Sequence, residues 1–453
     1  MRSMKLATAF AAVAIVAAAC SSGASPSPSA SATTAPTVAA TTAPTTEVTA
    51  APATEAPSPS AAACATDPVK ITFWTKEGDV NLTYIKNQTA AYTAAHPNVT
   101  FDVVNKDVEA LRQDFQTASL AGSQPDLLWT VADHVGPFTA ANLIMPLDGL
   151  VDTSVYLPNA VAAVQADGKT WGVPISYGNQ LMLYWNKSLV GDTAPADTDA
   201  LVAKAKELTD GAKKYGLVFN QTESFWLVPF LGGENGSVFA ADGKTPTLDT
   251  PEMKAALQLL YDWKFTDKIM PKEADYNVAD GMFKDATAAM IINGDWAMGD
   301  YKKALGDKLG VGPIPKITGA SDPKPYTAGA FYMVPKNVGT DANKQCVVLD
   351  YISWSTNQEN QIQMVKDLAR LPALLTAIAD PIVTGDPLLN GAAAAVKLGI
   401  PQPTNLEMRC VFDSMTNGIR DMFGKGTDPT AVAAAMQKSA DAGVAPGGEC
   451  AAE

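Results

Sequence analysis

Val69-Lys70-Ile71-Thr72-Phe73-Trp74 alternates apolar and polar side chains, the two-residue period of a strand. The period then changes: Leu82, Ile85, Thr89 and Tyr92 recur three or four residues apart and share one face of a helix. A second strand, Val99 to Val104, leads to a second helix on which Val108, Leu111, Phe115 and Ala118 align, with Gly122 at its C-terminal boundary. This order predicts an α/β fold with helices on both faces of a sheet. The alternation returns at Leu217-Phe219, in the helix around Met253 to Phe265, and at Ala288-Ile292, with no internal repeat.

N-terminal to this segment the chain carries no such pattern. Residues 1-20 place Arg2 and Lys5 ahead of a 14-residue apolar stretch, Leu6 to Ala19, and end in Ala17-Ala18-Ala19-Cys20. The stretch is shorter than the roughly 20 residues that span a bilayer as a helix, so it reads as an export signal. The ending resembles a bacterial lipobox, which makes Cys20 the candidate lipidation site; cleavage after an Ala-x-Ala site is the alternative. Residues 21-66 are dominated by Ala, Ser, Thr and Pro and contain no aromatic residue, so they cannot build a core. They read as a disordered tether that holds a folded body off a membrane. The expected location is extracytoplasmic, at the outer face of the cell membrane or in a periplasm.

The 453 residues carry 33 basic against 47 acidic side chains, a net charge of -14 that repels phosphate backbones, so no nucleic-acid partner is expected. Two His are too few for most metal or acid/base machinery, and neither a cofactor nor a metal is expected. With Cys20 set aside, Cys64, Cys346, Cys410 and Cys450 form an even set in an exported chain. Three connectivities are open. The preferred one, Cys346 with Cys410 and Cys64 with Cys450, fastens the first folded residue to the last.

A series of short motifs runs through the body in a fixed order. They are Asp126-Leu127-Leu128-Trp129, Leu143-Ile144-Met145-Pro146-Leu147, Gly168-Lys169-Thr170-Trp171-Gly172-Val173-Pro174, Leu183-Tyr184-Trp185-Asn186-Lys187, Met290-Ile291-Ile292-Asn293-Gly294-Asp295-Trp296, Tyr332-Met333-Val334-Pro335-Lys336 and Ile400-Pro401-Gln402. Together they resemble the extracellular solute-binding proteins of ABC sugar importers, in the maltose/maltodextrin-binding branch, over roughly residues 67-445. The resemblance implies a periplasmic-binding-protein-like α/β fold: two α/β lobes joined by hinge crossings, with a ligand cleft between them. The implied lobes are 67-178 plus 331-380 and 179-330 plus 381-453, with crossings near Tyr177-Gly178, Ala328-Ala330 and Asp380-Pro381. It further implies a monomer that closes on a saccharide and delivers it to ABC permease subunits.

Sugars present hydroxyl edges and apolar C-H faces, so their sites combine aromatic platforms with carboxylate, amide and Lys partners. By motif, the resemblance assigns Trp129 and Asp133 to the first lobe's share of the cleft, Asn179 to a position just past the first hinge, and Glu223, Phe225 and Trp226 to a loop of the second lobe. Trp296 matches the main stacking platform. Trp74, Lys76 and Glu77, in and after the first strand, complete the candidates. Trp171, Trp185, Trp263 and Trp354 fall in core patterns, and His134 reads as a surface histidine. Where the branch presents paired aromatics, this chain has Glu407 and Met408, so one platform is missing, and Asn179 stands where an acid is usual. An oligosaccharide is the expected ligand, maltodextrin-like without being maltose itself. Anionic ligands are disfavoured, because none of Arg112, Arg370, Arg409 and Arg420 falls at an expected cleft position.

A secreted glycoside-acting enzyme is the rival reading, with Asp133 and Glu223 as its paired carboxylates. A sugar-sensing lipoprotein without a transport partner is a third. No other chemistry finds a scaffold: Gly168-Lys169-Thr170 and Gly243-Lys244-Thr245 lack the upstream glycine of a P-loop and read as turns, and there is no Gly-x-Ser-x-Gly, His-Glu-x-x-His or Cys-x-x-Cys. No catalytic residues are assigned.

Overall fold

In a computed structural model, which describes residues 64–450, β1 (Val69–Thr75) buries every second side chain, Val69, Ile71, Phe73 and Thr75. Each fully buried Ile or Phe contributes roughly 1.5–3 kcal/mol. α1 (Asp79–Ala95) turns Tyr84, Ile85, Thr89 and Tyr92 inward, with Asn81 and Gln88 beside them and Leu82 at the margin of the face. β2 (Val99–Asn105) and β3 (Leu127–Val131) pair in parallel with β1 on either side, and α2 (Val108–Leu120) connects them, burying Leu111 and Phe115. All five side chains of β3 are buried, as expected of a parallel strand covered on both faces.

A small hairpin, β4 (Gln165–Ala166) and β5 (Lys169–Thr170), turns at Asp167 and Gly168, both at positive φ. Gly243 also lies at positive φ, so neither Gly-Lys-Thr sequence opens a helix. β6 (Val173–Gly178) ends at the first crossing. A second sheet then forms from β7 (Leu181–Asn186), β8 (Tyr215–Val218), β9 (Ala288–Gly294) and β10 (Leu309–Gly312), in the order β10-β7-β9-β8. β11 (Tyr326–Met333) returns the chain to the first sheet, pairing antiparallel with β3 and β6, and β12 (Ile400–Pro401) adds in parallel to the start of β11. Each sheet has its own helical cover and apolar core. One core gathers Phe73, Trp129, Tyr332 and Tyr351; another gathers Leu183, Trp226, Trp263, Met408 and Met415. These are the two α/β lobes, the first holding β1 and the second β7.

The disulfides depart from the expected pairing. Cys64 bonds Cys346 and Cys410 bonds Cys450. Cys346 lies on the helix Ala342–Ser355, which packs in the β1 core. Cys410 lies on the helix Glu407–Lys425, and the chain after the next helix, Pro429–Val444, folds back so that Cys450 N–H bonds Gly443 O at 2.9 Å. The two ends of the described chain belong to different lobes, so each bridge closes within one lobe. Residues 1–63, with the expected export signal, Cys20 and nearly all of the expected tether, lie outside the described residues. Among the described residues no helix is long and apolar enough to cross a membrane.

Candidate functional site

β6 and β11 run antiparallel through the junction of the lobes, Tyr177 opposite Gly329 and Gly178 opposite Ala328. Gly178 and Gly329 have φ near +150°, and a Cβ would stand 2.4 Å from Asp295 Oδ2 at the first and 2.1 Å from Ser176 O at the second. Only glycine satisfies both constraints. Asn179 follows at φ +56°, almost fully buried, so its side chain does not stand open in the cleft. The Asp295 carboxyl is buried beside it. Burial raises that carboxyl above the usual aspartate range, while the Arg370 charge and the Asn179 N–H pull the other way. At Asp380-Pro381, the expected third crossing, Asp380 caps the short helix Pro381–Thr384 by accepting from Ile382 N–H.

Glu77, 3% exposed, is the hub of the first lobe's inner wall. Its carboxylate accepts from Arg370 Nη1 and Nη2 at 3.1 and 3.3 Å, from Trp129 Nε1 at 3.1 Å, and pairs with Lys76 Nζ at 2.9 Å. Burial alone would raise this carboxyl; the Arg370 and Lys76 charges outweigh it and hold it down at about 2. Glu77 therefore serves the wall, and its partners occupy the oxygens a ligand would need. Trp129 is likewise not an open platform: it is 1% exposed, edge-on to Tyr332 at 5.6 Å, with its N–H committed to Glu77. Trp226 is 4% exposed and donates to Ile292 O at 2.7 Å. Trp74 is half-buried in the core of Leu111 and Phe115, with Lys106 Nζ 4.4 Å from its ring centroid.

Lys76, Phe225 and Trp296 are brought together. Trp296 is half-buried, held by its N–H to Tyr276 Oη at 2.9 Å and flanked by Phe225 at 6.2 Å between centroids. From the first lobe, Lys76 Nζ stands 5.7 Å from its ring centroid and Asn81 Nδ2 donates to Trp296 O at 3.0 Å. A half-open indole, a second aromatic and an ammonium on the facing lobe suit an apolar sugar face rimmed by hydroxyls.

Farther out, Asp133 follows β3 on a single tight turn, Ala132–His134, and lines a crevice between the lobes with Arg112, Asn405, Arg409 and Phe412. Burial, and next the Glu109 charge, raise the Asp133 carboxyl to about 6 against the opposing pull of Arg409 and Arg112. Arg409 Nη1 reaches both Glu109 oxygens, at 3.0 and 2.9 Å, and so links the second lobe to the first. The expectation that no Arg approaches the cleft is corrected: Arg370 underlies Glu77, and Arg112 and Arg409 flank Asp133, all three with carboxylate partners within this chain. Glu223 precedes Phe225 with part of its side chain in solvent; burial of its carboxyl end raises it and the Asn220 side chain draws it down. Glu407 is buried and accepts from Asn405 Nδ2 at 2.8 Å. His134 is no surface residue: it is fully buried, Nδ1 is 2.6 Å from Thr130 Oγ1, and burial drives its ring down to about 3, so it is neutral.

Sequence reasoning passed over Arg370, Asp295, Tyr276 and Asn81. Arg370 did leave a signal, a lone cation inside the apolar run Leu368-Ala369-Arg370-Leu371-Pro372-Ala373-Leu374, where burial demands a partner. The other three become visible only once Trp296 is placed.

The chain is 25% identical over 363 residues to the maltotriose-binding protein of Pyrococcus abyssi, covering 78% of this chain and 77% of the relative. It is 22% identical over 357 residues to the galactooligosaccharide-binding protein of Bacillus subtilis, covering 76% and 83%. Among solved structures, the maltose/maltodextrin-binding domain MalE from Bdellovibrio bacteriovorus, bound to maltotriose, superposes with a TM-score of 0.78 at 31% identity, covering 82% of this chain and 99% of that one. The family model described as bacterial extracellular solute-binding protein matches residues 87–391, and the chain belongs to that family.

Proposed function

We infer that this chain is a non-catalytic, extracytoplasmic receptor that captures an oligosaccharide by closing its lobes over the Trp296 face and hands it to the permease of an ABC importer. The observation that carries the reading is the half-buried Trp296–Phe225 pair, faced from the first lobe by the Lys76 ammonium that Glu77 holds in place. The relatives named for maltotriose and galactooligosaccharide support the ligand class and favour no single sugar. Lobes of 67–178 plus 331–380 and 179–330 plus 381–453 would rotate about the Gly178 and Gly329 crossings and the Asp380-Pro381 link. The working unit is a monomer, and lipidation of Cys20 would hold it at the outer face of the membrane.

A thermal-shift screen of mono- and oligosaccharides tests the binding. A ligand at a thousandfold excess over Kd stabilises by about 4 kcal/mol. No shift with any sugar refutes the reading, and steady release of shorter sugars during incubation replaces it with the glycoside-acting alternative. Cys20→Ala is expected to move the protein from the membrane fraction to the medium or periplasm. Co-purification with permease subunits separates the transport role from the sensor role.

A further inference from the structure

One buried cation of the second lobe lies outside the cleft and has no carboxylate of its own. The helix Pro251–Tyr261 ends in a π-type turn, Asp262–Thr266, closed by Asp267 N–H on Asp262 O at 2.8 Å. Such a turn holds one residue more than an α-turn and occurs frequently at functional sites. Here it buries two neighbours: Trp263, against Phe230 at 5.2 Å between centroids, and Lys264, 8% exposed. A buried Lys ordinarily needs a partner of opposite charge. Among the described residues none pairs with Lys264; its Nζ lies 5.1 Å from the Phe423 ring centroid and donates to Gln221 Oε1 at 2.6 Å. Burial lowers the ammonium to about 8, with Glu273 pulling it up and Lys272 down, so it is still charged at neutral pH.

Gln221 is itself buried. Its Nε2 donates to Pro271 O at 3.2 Å and its backbone N–H to Ala274 O at 2.8 Å, which leaves Lys264 as the donor that fixes the amide oxygen. The segment Gln221-Thr222-Glu223-Ser224-Phe225-Trp226 starts at this anchor and ends at a second one, the Trp226 N–H on Ile292 O at 2.7 Å. Glu223 and Phe225 are strung between the two. Without Lys264 the Gln221 oxygen would be buried with no donor, a costly state that the segment relieves by shifting toward water. We propose that Lys264 is a positioning residue of the ligand site: from the π-type turn it holds Gln221, and through Gln221 it sets where Glu223 and Phe225 stand relative to Trp296. The assignment rests on the saccharide reading above and adds to it a residue that touches no ligand.

The test is calorimetric titration of the mature chain at pH 7 with maltotriose and with galactotriose, for wild type, Lys264→Met, Gln221→Met, the double variant and Gln221→Glu, with urea denaturation of each. Lys264→Met and Gln221→Met are each expected to raise Kd about tenfold or more, and the double variant by about as much as either alone, because all three break one contact. Gln221→Glu keeps an oxygen for the ammonium and stays within about threefold of wild type. Hydrogen exchange of the ligand-free protein reads the segment directly: in Lys264→Met the amides of 221–226 lose protection while those of β9 keep it. A lowered urea midpoint with unchanged Kd in Lys264→Met, single effects that multiply in the double variant, or equal loss of protection in β9 overturns the proposal and leaves the saccharide reading standing. Should Lys264→Met fail to fold, equal Kd values for Gln221→Met and Gln221→Glu overturn it instead. No binding of either sugar by wild type counts against the saccharide reading, while the exchange measurement still decides whether Lys264 holds the segment.

Discussion

Arg370→Met removes the guanidinium from the buried Glu77 carboxylate and leaves it with Trp129 N–H and Lys76. Glu77 titrates at about 2 in the folded chain against 4.5 for its free counterpart, a gap that corresponds to roughly 3 kcal/mol of stability. The sign is that of a depressed acid: the contribution is complete above pH 4.5 and disappears as pH falls toward 2. In the variant burial prevails and the carboxyl titrates higher, so the charged form becomes a cost at neutral pH. Asp295, already raised by burial and partly held down by Arg370, moves in the same direction. Breaking a buried pair by removing one partner costs about 3–5 kcal/mol. Urea denaturation of both proteins at several pH values between 7 and 2.5 reads the difference, because carboxylates elsewhere titrate alike in the two and cancel. The expected gap is about 3–5 kcal/mol at pH 7; because the unfolded chains titrate alike, it starts to shrink once pH falls below the variant's own raised Glu77 titration and goes on shrinking toward pH 2. Glu77→Gln combined with Arg370→Met recovers much of it. A gap that is the same at pH 7 and pH 3 would refute the reasoning, since the loss would then come from packing and not from charge.

Gly329→Ala forces a side chain onto Ser176 O at a positive φ and is expected to cost on the order of 1–3 kcal/mol or more, read as a lower urea midpoint; an unchanged midpoint counts against the crossing geometry. Non-reducing peptide mapping should find Cys64 joined to Cys346 and Cys410 to Cys450, and Cys410→Ser with Cys450→Ser should cost about 2–4 kcal/mol, whereas a Cys64–Cys450 peptide would contradict the fold of both ends. Glu109→Gln breaks the link to Arg409 across the crevice. Because the pair is partly exposed, stability should change by no more than about 1 kcal/mol, yet the ligand-free radius of gyration in solution scattering should grow as the open form gains population; no growth would mean that the pair does not hold the lobes together.

The two-residue and helical periods of Val69–Trp74 and of Ile85 to Tyr92 were enough to lay out the first half of the first sheet, because burial imposes those periods directly on the chain. Trp296 lies in one of the ordered motifs, whereas Phe225 and Lys76 come from a loop of the second lobe and the loop after the first strand, and the structure brings the three together. Trp129 and Trp226 were not legible: an indole inside a strand end or loop reads as a platform or as core depending on whether its N–H finds a partner, and those partners, Glu77 and Ile292 O, come from segments far away. His134 was misplaced for the same reason, since Thr130 and Phe138 enclose it only after the turn closes. The disulfide pairing depended on which lobe receives the last helix, and no local pattern carries that information.

The position of the Cys64–Cys346 bridge decides how a pull on the N-terminal segment would enter the body. Force arriving at Cys64 divides between the peptide leading into β1, an interior strand flanked by β2 and β3, and the sulfur link into the helix Ala342–Ser355. Both routes end in the first lobe, so a membrane attachment upstream, if the proposed lipidation holds, would make that lobe the fixed half. On the proposed closure, the half that would swing is the one carrying Trp296, reached through the adjacent strands β6 and β11, with its own Cys410–Cys450 bridge outside the load path.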